Sequence, residues 1–567
     1  MKILSLHCDY IKFKPLKKAL KEPEELSVRR QGEIEVDNPL VLMIAVEKND
    51  ESNPNIIAEL ASEAKKLADQ VKAEKLVLYP YAHLSPSLSK PNFALKTLEE
   101  AEKALKKDFK IIERAPFGFY KEFELKVKGH PLSELSRDIH FSGEIAEDDN
   151  NDDSDPKKLL KQIGKTKLDS RELKDNDHRI LGQQMDLFSF SDVAPGMPFW
   201  HNDGLIIRNK LIEFWREEQT KAGYEEIQTP QILDKKLWLI SGHWQKYKEN
   251  IFLSDYEGRE FAVKPMNCPG GMLVYKNKPK SYKDLPLRVA EMGLVHRQEL
   301  SGVLSGLFRA IQFTQDDAHI FCTEKQLESE IIKIMELIDK FYKIFKFEYH
   351  VELSTRPEKR IGEDRVWDKA EKTLEDVLKK KKMKYKINKG DGAFYGPKID
   401  FHIADSLGRT WQTATIQLDF AMPDRFDLNY IDKDNKQKRP IMLHRVIYGS
   451  LERFIGILLE HTNGHLPLWL APKQVRVINF TDKNNKACES LVEELKNMKV
   501  RVDIDLNQEP IGGKIKQAEI EKVPYIIVIG DKEEASGNVA VRKQGKITQV
   551  NKKKFLENIK KEIEDKA

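Results

Sequence analysis

Residues 293–322 read GLVHRQELSGVLSGLFRAIQFTQDDAHIFC, and two strand-like runs in this stretch flank a Ser/Gly loop from Ser301 to Gly306. In an extended segment side chains alternate between faces, so every second residue shares one side. The first run then places Arg297 with Glu299, and the second lines up Arg309, Ile311, Phe313, Gln315, Asp317 and His319. A half-buried strand of an ordinary core alternates apolar with polar residues. This face instead ends in Gln, Asp and His, which are costly to bury unless each meets a partner. It suits a site that holds an anion and a small polar substrate. Taken alone, the same residues also fit surface ion pairs and a structural histidine.

The 567-residue chain is too long for a single core, and about three or four domains are expected. Its 96 basic and 92 acidic residues leave a net charge of +4, which neither demands nor excludes nucleic acid, whose footprint is a local patch. The cysteines, Cys8, Cys268, Cys322 and Cys488, are scattered and form no CxxC pair. A disulfide framework is therefore not expected, and a reducing cytoplasm is. No apolar run approaches the roughly 18 residues of a membrane span, and the first residues carry no signal-peptide pattern. A cytoplasmic protein with no membrane partner is the expectation.

Residues 1–145 read as an α/β domain, with strands at Met1–Leu6, Leu40–Val46, Lys75–Tyr79, Phe109–Ile112 and Phe123–Val127 and helices at Asn55–Ala73 and Lys96–Lys107. Two loops stand out, YPYAHLSPSLSKP (79–91) and RAPFGFYKEFEL (114–125). The first sets His83 in a Pro-rich turn, and the second puts Lys121 after Tyr120 in an aromatic run. A lysine in apolar company can have a shifted pKa, hold a phosphate or simply snorkel. Glu147–Asp155, EDDNNDDSD, has no apolar residue and reads as a solvated linker within a connecting segment, 146–200. A large domain follows over 201–468, opening with a helix at Leu205–Lys221 and a strand at Tyr224–Pro230. Over 469–567, α and β segments alternate with short connections, which predicts a mostly parallel, helix-covered sheet.

Several strings together resemble one family. YAHLS and APFGFYKEFELKVKGHPLSELSR resemble the N-terminal editing domain of archaeal-type threonyl-tRNA synthetases, which is related to D-aminoacyl-tRNA deacylases. The helix and strand ending at Pro230, the opening stretch and HRVIYGSLERFIGILLE (444–460) resemble the three motifs of class II aminoacyl-tRNA synthetases, while SGHWQKYKENIF (241–252) and KPMNCPGGM (264–272) sharpen the match. The last segment resembles the anticodon-binding domain of that class. The resemblance implies a multidomain α/β and α+β chain: a deacylase-like editing domain, a class II antiparallel-sheet catalytic domain and an α/β anticodon-binding domain. It implies ligation of L-threonine to tRNA(Thr) through an adenylate, with no DNA partner and with a homodimer formed through the first motif. A catalytically silent RNA-binding paralogue, or a synthetase for another amino acid, are the alternatives.

The resemblance also implies roles. Arg297 and Arg453 would act on the ATP phosphates, with Glu299, Arg309 and Gln412 completing the nucleotide site and Mg2+ accompanying ATP. Cys268, His319 and His444 would hold one Zn2+ per chain, although their spacing alone carries no zinc signal. Asp317, Gln315, Tyr395, Gln412, Gln417 and Met266 would line the threonine pocket. Gln412 and Gln417 are an odd number of residues apart, so one straight strand cannot present both inward, and a bulge or a division of roles is expected. Pro80, Ala82, His83, Tyr120, Lys121 and Glu134 would form the editing site, with His83 and Lys121 acting on a seryl ester. A site built around a hydroxyl rejects valine strongly, but serine lacks only a methyl group, worth about 1–3 kcal/mol, so a second sieve is required. One departure is Gly271, where many bacterial relatives have histidine.

Overall fold

The computed structural model describes residues 1–20, 23–85, 87–130, 132–139, 160, 163 and 173–566. The acidic stretch 147–155 and the boundary expected near 145 lie outside the described residues. The chain divides into two units, Met1–Asp152 and Asp153–Ala567.

The first unit is organised around one strand, β1 (Lys2–Lys18), with β2 (Ile34–Asp37), β3 (Leu40–Ala45), β4 (Lys75–Pro80), β5 (Ile111–Arg114), β6 (Phe119–Val127) and β7 (Glu134–Asp138). The first third of β1 pairs antiparallel with β3 and β7, and the remainder pairs with β2 and β6. β3, β4 and β5 then continue in parallel. The expected strand Met1–Leu6 is far longer because Ile11 and Phe13 alternate with charged residues, and both are buried. Helix α1 (Ile56–Val71) buries Ile56, Leu60, Ala64 and Leu67, the three-and-four spacing of an amphipathic helix. Helix α2 (Pro91–Leu105) starts five residues before the expected Lys96, at a proline whose fixed φ suits a first turn.

The second unit carries helices α3 (His178–Gln184), α4 (Asn202–Lys221), α5 (Cys268–Lys276), α6 (Glu324–Ile344), α7 (Asp364–Lys380) and α8 (Leu451–Thr462). Its eight-stranded sheet is built from β8 (Glu225–Glu226), β9 (Leu287–His296), β10 (Gln312–Cys322), β11 (Glu348–Ser354), β12 (Tyr385–Asn388), β13 (Lys398–Ala404), β14 (Thr410–Asp419) and β15 (Ile441–Val446). The strand order is β8-β9-β10-β15-β14-β13-β11-β12, antiparallel except for the outermost pair at each edge. Ala318, Ile320, Phe401, Ala414, Ile416 and Leu443 share one core with Leu211, Trp215, Ile334, Phe341 and Leu458 of α4, α6 and α8. The helices therefore cover one face, and the polar residues of β10 stand on the other.

Two expectations are corrected here. Tyr224–Pro230 is a strand only at Glu225–Glu226, because Thr229 turns away to donate its N–H to Glu291. Residues 178–200 are more than a connector: Leu181, Leu187 and Phe188 belong to the core beneath the eight-stranded sheet. The final segment forms a sheet in which Val475–Asn479 lies between Val502–Asp505 and Tyr525–Ile529, all parallel, before an antiparallel hairpin of Asn538–Lys543 and Lys546–Asn551.

The open face of the sheet also carries a deeply buried ion pair. Lys264 Nζ, 0% exposed, donates to Glu291 Oε1 at 2.8 Å and to Thr229 Oγ1 at 2.9 Å. Removing one partner of a buried pair leaves the other charge uncompensated, at a cost of about 3–5 kcal/mol. Glu291→Ala is expected to destabilise the chain by that order, read as a lowered urea midpoint; an unchanged midpoint would refute it.

Candidate active sites

The open face of β10 carries Phe313, Gln315, Asp317 and His319; Arg309 and Ile311, expected on the same face, precede the strand and belong to the loop. Across the hairpin, Glu291 stands opposite Asp317, and Gly293 opposite Gln315. A Cβ on Gly293 would lie 2.2 Å from Asn267 Oδ1. The missing side chain lets fully buried Asn267 reach in, and its Nδ2 donates to Asp317 Oδ2 at 2.6 Å. Asn267 Oδ1 has no hydrogen-bond partner among the described residues, an orphaned buried acceptor that a substrate donor can satisfy.

His319 faces His444 across the β10–β15 ladder, with ring centroids 5.0 Å apart, and Gln417 faces His444 from the other side. Cys268, at the first turn of α5, joins them: ligand atoms of Cys268, His319 and His444 all lie within 4.8 Å of one another. Asp419 Oδ2 is 2.8 Å from His444 Nε2, while Asp419 Oδ1 accepts from the Ala421 and Met422 N–H groups. A carboxylate that holds one imidazole nitrogen fixes the ring and leaves the other for a metal. Burial drives His319 well below its ordinary pKa and the Cys268 thiol well above. The neutral imidazole is already the ligand form, and a cation is what the thiol needs to ionise. Two nitrogens and a sulfur with a further position open are a zinc donor set. Gly271 packs beneath this cluster, where a Cβ would stand 3.3 Å from His319 Nδ1.

Toward the loop end the face turns cationic. Arg297 Nε donates to the Pro265 carbonyl at 3.2 Å and Nη2 to Gln315 Oε1 at 3.4 Å, with the guanidinium 5.2 Å over the Phe313 ring. Arg309 Nε donates to Glu299 Oε2 at 3.0 Å. Arg453, at the start of α8, donates Nε to the Phe308 carbonyl at 2.8 Å. Burial, then the fields of Arg309 and Arg297, lower the pKa of Arg453, with Glu299 opposing. Three converging guanidinium groups are suited to a polyphosphate, whose oxygens they meet in planar forks.

The bulge expected between the two glutamines is present. In the β13–β14 ladder Phe401 pairs with Ala414 and His402 with Gln412, so Thr413 is the extra residue. Gln412, Thr415 and Gln417 thereby share the site face, and Asp400 Oδ1 accepts from Gln412 Nε2 at 2.6 Å and from Thr415 Oγ1 at 2.8 Å. The Tyr395 ring lies 5.4 Å from that of His444. Met266 packs with Cys268 and Tyr395 in a small apolar cluster.

Some supporting residues carry no sequence motif. Asp316 points to the covered face, fully buried, and accepts the Ile447 and Gly449 N–H groups at 2.9 Å. It thus ties β10 to the turn that launches α8. Gly449 adopts φ +74° and its Cβ would lie 2.8 Å from the Thr413 carbonyl, so the turn requires glycine. His178 of α3 bonds Glu460 through Nδ1 at 2.7 Å, and the Leu307 N–H donates to its Nε2 at 3.0 Å. That contact holds the loop bearing Phe308 and Arg309. Such long-range anchors are visible only once the fold juxtaposes them.

In the first unit, a cavity of about 480 Å³ is lined by Tyr79, Pro80, Ala82, His83, Tyr120 and Lys121, among others. Lys121 Nζ donates to the Pro116 and Phe119 carbonyls at 3.0 and 3.2 Å and stands 5.2 Å over the Tyr79 ring. Burial lowers its pKa to about 8. His83 is exposed at the rim, with its ring 5.5 Å from that of Tyr81. Glu134 is not part of this cavity: it is exposed at the start of β7, paired with Leu6. Its grouping with Lys121 follows a shared motif stretch, but β6 and β7 meet different parts of β1.

Residues 1–139 match the archaea-specific editing domain of threonyl-tRNA synthetase, 247–462 the class II tRNA synthetase core domain (G, H, P, S and T), and 474–563 an anticodon binding domain. The chain is 55% identical over 398 residues to a threonine--tRNA ligase of Caldanaerobacter subterraneus subsp. tengcongensis and 54% identical over 398 residues to one of Clostridium botulinum (strain Kyoto / Type A2). Each match covers 70% of this chain, which spans 62% and 63% of the length of those relatives. The solved structure of the RNA binding domain of threonyl-tRNA synthetase from Cryptosporidium parvum Iowa II aligns with TM-score 0.66 and 39% identity, covering 68% of this chain and 98% of that one. A putative threonyl-tRNA synthetase from Aeropyrum pernix aligns with TM-score 0.61 and 29% identity, covering 69% and 97% respectively. With an editing domain, class II core and anticodon-binding domain matched in order, and with 39% identity across nearly all of a solved relative, the chain belongs to the threonyl-tRNA synthetase family.

Proposed function

We propose that the chain ligates L-threonine to tRNA(Thr) through threonyl-adenylate, using ATP with Mg2+, and that residues 1–145 hydrolyse seryl-tRNA formed in error. The supporting observation is the β9–β10 hairpin, which carries an arginine cluster at one end and a buried donor set for a polar substrate at the other. Arg297 and Gln315 would hold the α-phosphate while the threonine carboxylate attacks, and Arg309 and Arg453 would hold the departing pyrophosphate. Charge developing at the phosphate is met by groups already oriented by Phe308, Pro265 and Glu299, so little reorganisation is needed. Asp317, fixed by Asn267, would accept an N–H of the substrate amino group, with Gln412, Gln417, Tyr395 and Met266 around the side chain.

Cys268, His319 and His444 would hold zinc, which supplies a Lewis-acidic position for the amino group and hydroxyl of threonine. Residues 201–468, with 178–200 packed into their core, would carry this chemistry and 469–567 the anticodon contacts, with the rest of 146–200 joining them to the editing domain. A homodimer through 205–230 and a cytoplasmic location complete the reading; no helix among the described residues is long and apolar enough to cross a membrane.

Threonine-dependent exchange of pyrophosphate into ATP, using zinc-loaded protein, tests the reading. Exchange with threonine is expected, with serine supporting about 10–200-fold less and valine none detectable. No threonine-dependent exchange would overturn the ligase assignment.

A further inference from the structure

The open face of the catalytic sheet continues beyond the glutamines. His402 on β13 is opposite Gln412, and His350 on β11 stands directly across from His402. Their imidazoles stack with centroids 4.9 Å apart and planes 13° from parallel. Glu352 lies two residues along β11, so it shares that face. Its carboxylate oxygens stand 3.5 Å from His350 Nε2 and 3.6 Å from His402 Nε2. Hydrogen bonds between such atoms run at about 2.7–3.2 Å, so these contacts are too long to be satisfied pairs. They are the right length for a coordination polyhedron: metal–ligand bonds of about 2.0–2.1 Å in a tetrahedron separate the donors by about 3.4 Å.

Other features fit the same use. One ligand atom from each of His350, Glu352 and His402 lies within 4.8 Å of the other two. Asn388 Nδ2 donates to Glu352 Oε2 at 3.1 Å, orienting the carboxylate as outer-shell groups do in metal sites. The side chains are 40%, 19% and 19% exposed, so an ion can arrive from solvent and retain water at its free positions. The β11–β13 ladder sets the two histidines opposite one another before any ion arrives, and a turn of one stacked ring brings both lone pairs onto a shared ion.

We propose that His350, Glu352 and His402 form a second divalent-cation site, separate from Cys268, His319 and His444, that takes zinc or another first-row transition metal. Two imidazoles and a carboxylate, without a thiolate, suit zinc, cobalt, nickel and copper better than magnesium or calcium. A bound ion clips β11 to β13 at the end of the face that carries Gln412.

Equilibrium dialysis of the full chain against cobalt chloride decides the point. His350→Ala/His402→Ala is expected to retain one cobalt ion per chain fewer than the unaltered protein. Its near-ultraviolet thiolate-to-cobalt absorption, expected from metal held by the proposed Cys268 cluster, is expected to be unchanged and to report an intact sheet. Equal cobalt content in the double variant and the unaltered protein overturns the proposal. If the double variant loses the thiolate band, Glu352→Ala decides alone: loss of one ion supports the site, and unchanged content rejects it.

Discussion

Cys268→Ser is expected to lose one zinc ion per chain and to lower threonine-dependent pyrophosphate exchange on the order of 10³-fold. A serine hydroxyl stays neutral at physiological pH and cannot replace a thiolate, so the metal loses its anionic ligand. Loss of a Lewis acid costs several kcal/mol of transition-state stabilisation, and each 1.4 kcal/mol is about tenfold in rate. ATP binding is expected to persist, because Arg297, Arg309 and Arg453 keep their contacts with Pro265, Glu299 and Phe308. The measurements are metal content, exchange rate and ATP affinity on the same preparation. Retained zinc with undiminished exchange would remove Cys268 from the threonine site.

Lys121→Met is expected to lower hydrolysis of pre-formed seryl-tRNA on the order of 10²–10³-fold, the scale of losing one preorganised charged donor. Two carbonyl groups accept from Nζ and an aromatic face lies beside it, which positions the ammonium, while burial works against its charge. With its pKa lowered to about 8, the group is protonated below that pH. The enzyme-dependent rate, after subtraction of spontaneous hydrolysis, is expected to be flat below about pH 7 and to fall as pH rises through 8. A rate that rises across that range would instead assign Lys121 as a neutral base. The linkage has the opposite sign for stability. A lysine whose folded pKa is depressed costs folding free energy while the unfolded chain is protonated, most fully below 8, and the cost fades between 8 and 10.5. Lys121→Met therefore unfolds at a higher temperature at pH 7 than the unaltered protein while losing activity, a pairing that a merely structural lysine does not produce.

Local pattern reveals much of this molecule. The period-two face of Phe313, Gln315, Asp317 and His319 is readable because a strand has no other way to display it, and the odd spacing of Gln412 and Gln417 leaves either a bulge or a division of roles, of which the bulge at Thr413 is the one that forms. Anything that depends on which strand meets which is harder to read. Asp316 and Asp317 are adjacent and chemically identical, yet one holds the turn before α8 on the covered face while the other meets Asn267. Glu134 and Lys121 share one motif stretch, but the seven-stranded sheet of the first unit sets them apart. Asn267 could be assigned only after Gly293 was seen to leave it room.

The hairpin has one more consequence. The arginine cluster and the Cys268 cluster are both referred to β10, where Gln315 and His319 are four residues apart on one hydrogen-bonded ladder. At about 3.4 Å per residue, that interval is a backbone ruler of about 14 Å, which no loop movement can stretch. A one-residue insertion between them would do more than lengthen it. It would turn one end of the ruler to the opposite face, so length errors in this segment are all-or-none.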